Sequence, residues 1–178
     1  MYKKRLPIPN YKIKHFFNLY SVLSLFITLF INLILAEQTQ GQFTPNPNLP
    51  IFRGVTINPQ FRPDPEFIYG ISGGMELARE IAGRRDTKLG PCTGFVDRHP
   101  NHTLQITSPL NYLRVQVISR ADTTLIISGP GGTWCNDDYE GKNAGIAGQW
   151  LAGTYSIWVG SYQRDRYAPY KIWFSEVE

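Results

Sequence analysis

Apolar and polar residues alternate in several short segments of the second half of this chain. Successive side chains of a strand point to opposite faces, so strict alternation predicts one buried and one exposed face. The clearest segments are 102–107, 112–118, 123–128, 154–160 and 169–175, with shorter candidates at 67–71, 92–97 and 133–136. Seven or eight strands separated by regular turns predict an all-β fold, an antiparallel β-sandwich of the jelly-roll-like type.

The same alternation predicts which side chains form the core. Inward-facing positions are Leu104, Ile106, Leu113, Val115, Val117, Leu125, Ile127, Tyr155, Ile157, Val159, Tyr170, Ile172 and Phe174. The sandwich is predicted to span residues 67–178. Within it, residues 67–82 fit either a strand followed by a short helix or a continued alternation. Residues 37–66 contain six prolines among Gln, Asn and Gly, which predicts an extended linker.

The N-terminal segment has the layout of an export signal. A basic stretch precedes an apolar stretch from Phe16 to Leu35, and the small residue Ala36 follows. This arrangement predicts a signal peptide over residues 1–36. The apolar stretch, about 20 residues long, is also sufficient to span a bilayer, so an uncleaved anchor at residues 16–35 stays open. A signal or hydrophobic helix is therefore expected before the linker.

The basic balance of the chain comes from this leader. The formal net charge is +4, yet all 14 acidic residues and only 13 of the 18 basic residues follow Ala36. The exported segment therefore has a net charge of about −1, which gives no basis for a nucleic-acid partner.

The two cysteines, Cys92 and Cys135, are expected to form a disulfide. An even pair in an exported chain is typical of a structural bridge. The two cysteines are 43 positions apart. In the chain-entropy model, closing a loop of that length stabilises the fold by about 4 kcal/mol.

Acidic residues cluster around the end of the 133–136 strand. Asp137, Asp138 and Glu140 lie close together, and Asp122 begins a neighbouring strand. Carboxylates that repel one another are relieved by a hard cation, so these four residues are candidate Ca²⁺ ligands. The alternative is a solvated polar loop. A second possible metal pair, His99 and His102, lacks a nearby third ligand and is predicted to lie in a surface turn.

Several short motifs together resemble a known family. They are Asp122-Thr-Thr-Leu125, Trp134-Cys-Asn-Asp-Asp138, Ala152-Gly153-Thr-Tyr155, Ile157-Trp-Val-Gly160 and Tyr170-Lys-Ile-Trp-Phe174. In order and spacing they look like the bacterial pre-peptidase C-terminal domain and its secreted relatives. The resemblance implies a small β-sandwich that serves as an accessory module of exported proteins, in which Asp122, Asp137 and Asp138 match recurring acidic positions. Some relatives bind Ca²⁺ or extracellular polymers.

Two tryptophans are candidate binding residues. Trp158 and Trp173 alternate with the predicted core positions of the last two strands, so both are expected to face outward, beside Lys171. If those strands pair, the indoles share one surface that can stack on a sugar ring or a peptide. The alternatives are cover by residues 67–82 or simple cross-strand stabilisation.

The combined pattern favours an exported, non-catalytic binding or accessory module in a secreted or cell-envelope location. Its expected partner is an extracellular polymer or protein, recognised by the outward aromatic surface or by the loop from Asn136 to Gly148. A small secreted hydrolase using Asp137 or Asp138, and a membrane-tethered structural module, are the alternatives.

The leader gives a direct test. If residues 1–36 are removed on export, N-terminal sequencing of the exported protein should start at Glu37. A chain that still begins upstream of Phe16 would contradict cleavage and favour the tether.

Overall fold

The computed structural model describes residues 51–177, which form two packed β-sheets with a small outer layer. The predicted signal segment and most of the predicted linker lie outside the described residues. The described part contains no helix long and apolar enough to cross a membrane. The elements are β1 (Val55–Ile57), β2 (Glu66–Ser72), β3 (Glu76–Leu77), α1 (Ala78–Ala82), β4 (Asp86–Thr87), β5 (Gly90–Pro91), β6 (Phe95–Val96), β7 (His102–Ile106), β8 (Leu110–Ser119), β9 (Thr123–Gly129), β10 (Gly132–Asn136), β11 (Gly145–Trp150), β12 (Gly153–Ser161) and β13 (Ala168–Ser175).

The strands divide between two main sheets. The four-stranded sheet has the order β11-β8-β13-β2, with antiparallel neighbours throughout. In the seven-stranded sheet the path β1-β7-β12-β6-β3 is joined by β9, which pairs with β12, and by β10, which pairs with β9. Strands β4 and β5 form a separate two-stranded hairpin. This arrangement confirms the predicted all-β sandwich.

The inner faces of both sheets form one apolar core. All thirteen predicted inward-facing residues lie in this core, each with 1% or less of its surface exposed. The period-two pattern was therefore sufficient to identify the buried face of each long strand, because the core is the region between two parallel layers.

Three details differ from the sequence-based expectation. The predicted linker extends to residue 66, but residues 55–57 form β1, and Phe61 is also buried in the core. Strand β1 pairs with β7 in parallel, so the sandwich is not purely antiparallel. The single strand predicted at 92–97 is shortened to β6, because Gly94 has a positive φ of 81° that breaks the extended conformation.

The ambiguous segment 67–82 proves to be strand followed by helix. It contains β2, β3 and the five-residue helix α1. The helix ends at Gly83, whose φ of 68° is the left-handed conformation favoured at a helix C-terminus. Ala78 of this helix packs with Cys92, Cys135 and Ile126 in a second, smaller apolar cluster on the outer face of the seven-stranded sheet.

His102 joins the two sheets through a buried hydrogen-bonded network. Its Nδ1 lies 2.8 Å from the Arg53 carbonyl oxygen, and its Nε2 lies 2.7 Å from the Tyr170 hydroxyl. A carbonyl oxygen only accepts, so Nδ1 carries the proton and Nε2 accepts from Tyr170. The predicted surface turn is therefore wrong for His102, which is 2% exposed. Hydrogen bonds of this kind compensate for the cost of burying a polar side chain.

The surroundings of His102 favour its neutral form. Burial lowers the pKa of His102, the Arg53 carbonyl opposes this effect, and the Arg53 charge adds to the lowering. Arg53 also pairs with Glu66. Burial raises the pKa of Tyr170, and the charge of Asp97 raises it further, so the tyrosine keeps its proton at neutral pH. Both partners of the buried hydrogen bond are thus uncharged.

Stability is expected to fall as the pH drops below about 6.5. In that range unfolded His102 binds a proton that the folded residue, with its lowered pKa, binds less well, so the unfolded state gains stability. The effect of one proton is at most about 1.4 kcal/mol per pH unit. Urea unfolding between pH 7 and pH 5 should show a shallower pH dependence for His102→Gln than for the native chain. The exposed His99→Gln variant should retain the native slope, and equal slopes for His102→Gln would contradict this account.

Candidate functional site

The predicted acidic ligands are only partly brought together. Burial raises the pKa of Asp122, the carboxylates of Asp138 and Asp137 raise it further, and Lys142 lowers it. These three aspartates therefore share one electrostatic environment. Asp137 also accepts a hydrogen bond from the Thr93 hydroxyl at 2.5 Å.

Glu140, the fourth candidate ligand, has a hydrogen-bond partner outside the three aspartates. Its Oε2 accepts a hydrogen bond of 2.6 Å from the amide of Gln116 in β8. Within residues 51–177 no group of three or more His, Cys, Asp or Glu side chains could hold a metal ion. The calcium site stays a prediction.

The single aromatic surface predicted around Trp158 and Trp173 does not form. The last two strands do not pair: β12 belongs to the seven-stranded sheet and β13 to the four-stranded sheet. Both indoles point away from the core, as alternation predicts, but the two outward faces lie on opposite sides of the sandwich. The prediction was wrong because alternation fixes the face of a strand and not the sheet to which the strand belongs.

Trp158 is covered by the helix α1. It packs against the smaller apolar cluster together with Ile81 and Ala82 of α1. Cover by residues 67–82, the alternative considered from the sequence, is therefore correct for this tryptophan.

Trp173 and Lys171 do share a face, but each contacts a neighbouring side chain. The Arg114 guanidinium lies 4.1 Å from the centre of the Trp173 ring, and the Lys171 ammonium lies 4.7 Å from the centre of the Phe67 ring. These are cross-strand cation–π contacts on the outer face of the four-stranded sheet. A binding role for Trp173 and Lys171 stays a prediction.

A different group of aromatic residues lies at the seam between the two sheets. Strand β10 is at one edge of the seven-stranded sheet and β11 is at one edge of the four-stranded sheet. The two edges meet where the Asn136 side-chain oxygen accepts a hydrogen bond of 3.0 Å from the Gly145 N–H. Farther along the two edges, near Trp134 and Trp150, a cleft of about 110 Å³ lies between β10 and β11. We call it the aromatic cleft; it is lined by Leu89, Pro130, Gly131, Trp134, Ile146, Ala147, Gly148, Gln149, Trp150, Leu151 and Tyr155.

Three aromatic rings form the floor of this cleft. Trp150 meets Tyr155 edge to face at 5.2 Å, and Trp134 is tilted against both at 6.3 Å and 6.4 Å. Trp150 and Tyr155 are 5% and 1% exposed, so they belong to the core and hold the cleft in shape. Trp134 is only partly buried and is the ring available to an incoming molecule.

The disulfide secures one wall of the cleft. Cys92 and Cys135 are bonded, as predicted, which ties the β4–β5 hairpin to β10. The Thr87 hydroxyl accepts a hydrogen bond from the Cys135 N–H at 3.3 Å, and the Asn136 amide donates to the Leu89 carbonyl at 2.8 Å. Leu89, 41% exposed at the tip of this hairpin, is one of the lining residues of the cleft. Leu151, another lining residue, is 55% exposed.

Sequence reasoning did not identify this cleft. Trp134 is visible next to a cysteine, but residues 145–148 fall in the predicted loop because Gly145, Ala147 and Gly148 contribute no alternating apolar signal. Their pairing with β8 makes them a strand. Asn136, which joins β10, β11 and the hairpin, was identified only as part of the acidic loop.

In comparisons with known proteins, the reported similarities cover part of the chain. No protein-family model matches the chain. An uncharacterized protein of Synechococcus elongatus is 32% identical over 83 residues, which cover 44% of this chain and 61% of that relative. The chain thus spans less than two thirds of the length of this curated relative.

Two solved structures are similar in fold. The pre-peptidase C-terminal domain of a collagenase from Bacillus anthracis has a TM-score of 0.40 and 12% identity, covering 68% of this chain and 94% of that structure. PliG of Aeromonas hydrophila, a periplasmic inhibitor of g-type lysozyme, has a TM-score of 0.38 and 12% identity, covering 69% and 96%. The first of these two structures is of the domain type that the sequence motifs resemble.

Proposed function

We propose that this chain is an exported, non-catalytic binding module and that the aromatic cleft is its recognition site. The observation that carries the proposal is Trp134, a partly exposed indole that packs against the buried rings of Trp150 and Tyr155 in a cleft also lined by two exposed leucines. Binding surfaces place aromatic anchors in this way, because a preordered ring buries a large area at little entropic cost. The ligand class is an extracellular polymer or protein.

Two features support export and binding over hydrolysis. The disulfide fits an oxidising compartment, where such bonds persist. A hydrolase using Asp137 would need a proton-transfer partner beside it, whereas Asp137 bonds to Thr93 and His102 is bonded to Arg53 and Tyr170. The cleft itself is lined by groups suited to contact and not to proton transfer.

The test of the cleft is co-sedimentation of the purified protein with envelope fragments of the producing cell. Leu151→Glu places a charge at the opening and should reduce the bound fraction by more than about 10-fold, and Trp134→Ala should have an effect of similar size. Val177→Glu is the matched control, since Val177 is 65% exposed and outside the cleft. Unchanged binding of Leu151→Glu, with an unaltered melting temperature, would contradict the proposal.

Calcium stabilisation is a second part of the proposal. The Asp122 carboxyl, whose pKa is raised by burial and by Asp138 and Asp137, is the group that a cation would relieve.

Scanning calorimetry tests the cation. If calcium binds the folded state only, CaCl₂ at 100 times the dissociation constant contributes about 2.7 kcal/mol and should raise the melting temperature by about 10 °C. Chelator should reverse the rise, and Asp122→Asn should remove most of it. No shift in the native chain would eliminate calcium from this account.

A further inference from the structure

The size of the aromatic cleft limits its occupant. A cavity of about 150 Å³ holds one benzene molecule, whereas pockets for larger organic ligands span about 300–1,000 Å³. The cleft, at about 110 Å³, is smaller than both, so it takes at most one ring or one branched side chain. This inference rests on the proposed function and specifies the partner of the same site.

The lining of the cleft is electrically neutral. None of its eleven residues is an acid, a histidine or a base, and Tyr155 is the one residue among them that can ionise above neutral pH. Burial raises the pKa of Tyr155, outweighing the opposite effect of its hydrogen bond to the Leu151 carbonyl, so it stays uncharged. A charged group entering this cleft would lose its hydration without gaining a partner charge. Charge complementarity therefore selects an uncharged occupant.

The polar groups of the two buried rings on the floor, Trp150 and Tyr155, are already used within the protein. The Tyr155 hydroxyl donates to the Leu151 carbonyl at 2.9 Å, and the Trp150 indole donates to the Leu113 carbonyl at 2.8 Å. A sugar ring stacked on these two rings would find no free polar group on them, and each hydroxyl buried without a partner costs about 1–3 kcal/mol. An apolar side chain has no such cost.

The adjacent strand edge offers main-chain hydrogen bonds. The Ala144 carbonyl faces β8, where it accepts from the Val117 N–H, whereas the Gly145 N–H faces Asn136 across the seam. Backbone groups alternate along a strand, so the N–H and C=O of Ala147 point to the open side, next to the cleft. An extended peptide can pair with such an edge and insert one side chain into an adjoining pocket.

We propose that the aromatic cleft receives one apolar side chain of an extended, uncharged peptide segment of a partner protein, and that this segment pairs with the open edge of β11 at Ala147. Leu89 and Leu151, which both line the cleft, contact the inserted side chain. The disulfide-tied hairpin keeps the Leu89 wall in position in the absence of the partner.

The test uses end-capped heptapeptides of sequence Thr-Ser-Thr-X-Thr-Ser-Thr, where X is Leu, Phe, Ala or Asp. Binding to the full exported chain is followed by NMR at the Ala147 and Gly148 amides and the Trp134 indole, up to about 10 mM peptide. The Leu or Phe peptide should bind at least about 10-fold more tightly than the Ala peptide, and the Asp peptide should show no binding. Methylation of the backbone nitrogens beside X should weaken binding by at least about 10-fold, because it removes main-chain donors.

Protein variants and sugars complete the test. Leu151→Glu should abolish peptide binding, and Val177→Glu should retain it. Cellohexaose and chitohexaose serve as neutral sugar probes. Binding of a sugar without a peptide preference for apolar X would overturn the inference and leave the cleft as a binding site. If neither probe binds while co-sedimentation still depends on Leu151, the inference fails and the proposed function stands. If that dependence is also absent, both fail.

Discussion

The apolar contact between the inner faces of the two sheets is the constraint on which the rest of the molecule depends. Thirteen strand residues from both sheets meet there and are almost completely excluded from water. Burying this surface is the main favourable contribution to folding. The contact also creates the site, because two sheets packed face to face have edges, and the open part of the seam between β10 and β11 is where Trp134 reaches the surface.

Polar interactions then fix the geometry that the apolar contact leaves undetermined. His102 joins β7 to β13 across the core, and Asn136 joins β10, β11 and the β4–β5 hairpin at the seam. Because these groups are buried and hydrogen-bonded, displacing either would leave a polar atom without a partner. The disulfide adds a covalent tie at the same place. The shape of the cleft therefore follows from the bonds that hold β10, β11 and the hairpin together. Its aromatic floor is continuous with the core.

The two ends of the seam have different chemistry. At the Asn136 end, Asp122, Asp137 and Asp138 share a repulsive environment that raises the pKa of Asp122. At the Trp134 end, the lining residues carry no charge. Charged groups gain from solvent or a cation, whereas apolar groups gain from contact with another apolar surface. One edge of the fold thus combines an acidic loop with an uncharged, largely apolar cleft.

Sequence alone determined the class of fold, the inward faces of the long strands and the disulfide, because alternation reports directly which side of a strand is buried. It did not determine which strands share a sheet. Trp158 and Trp173 were therefore joined into one surface that the assignment of β12 and β13 to different sheets separates. It also failed for β1 and β11, whose short or glycine-rich sequences become strands only through pairing with β7 and β8. The hydrogen bonds of His102 and the lining of the aromatic cleft likewise involve residues that are distant in the chain. Only the tertiary structure brings those residues together.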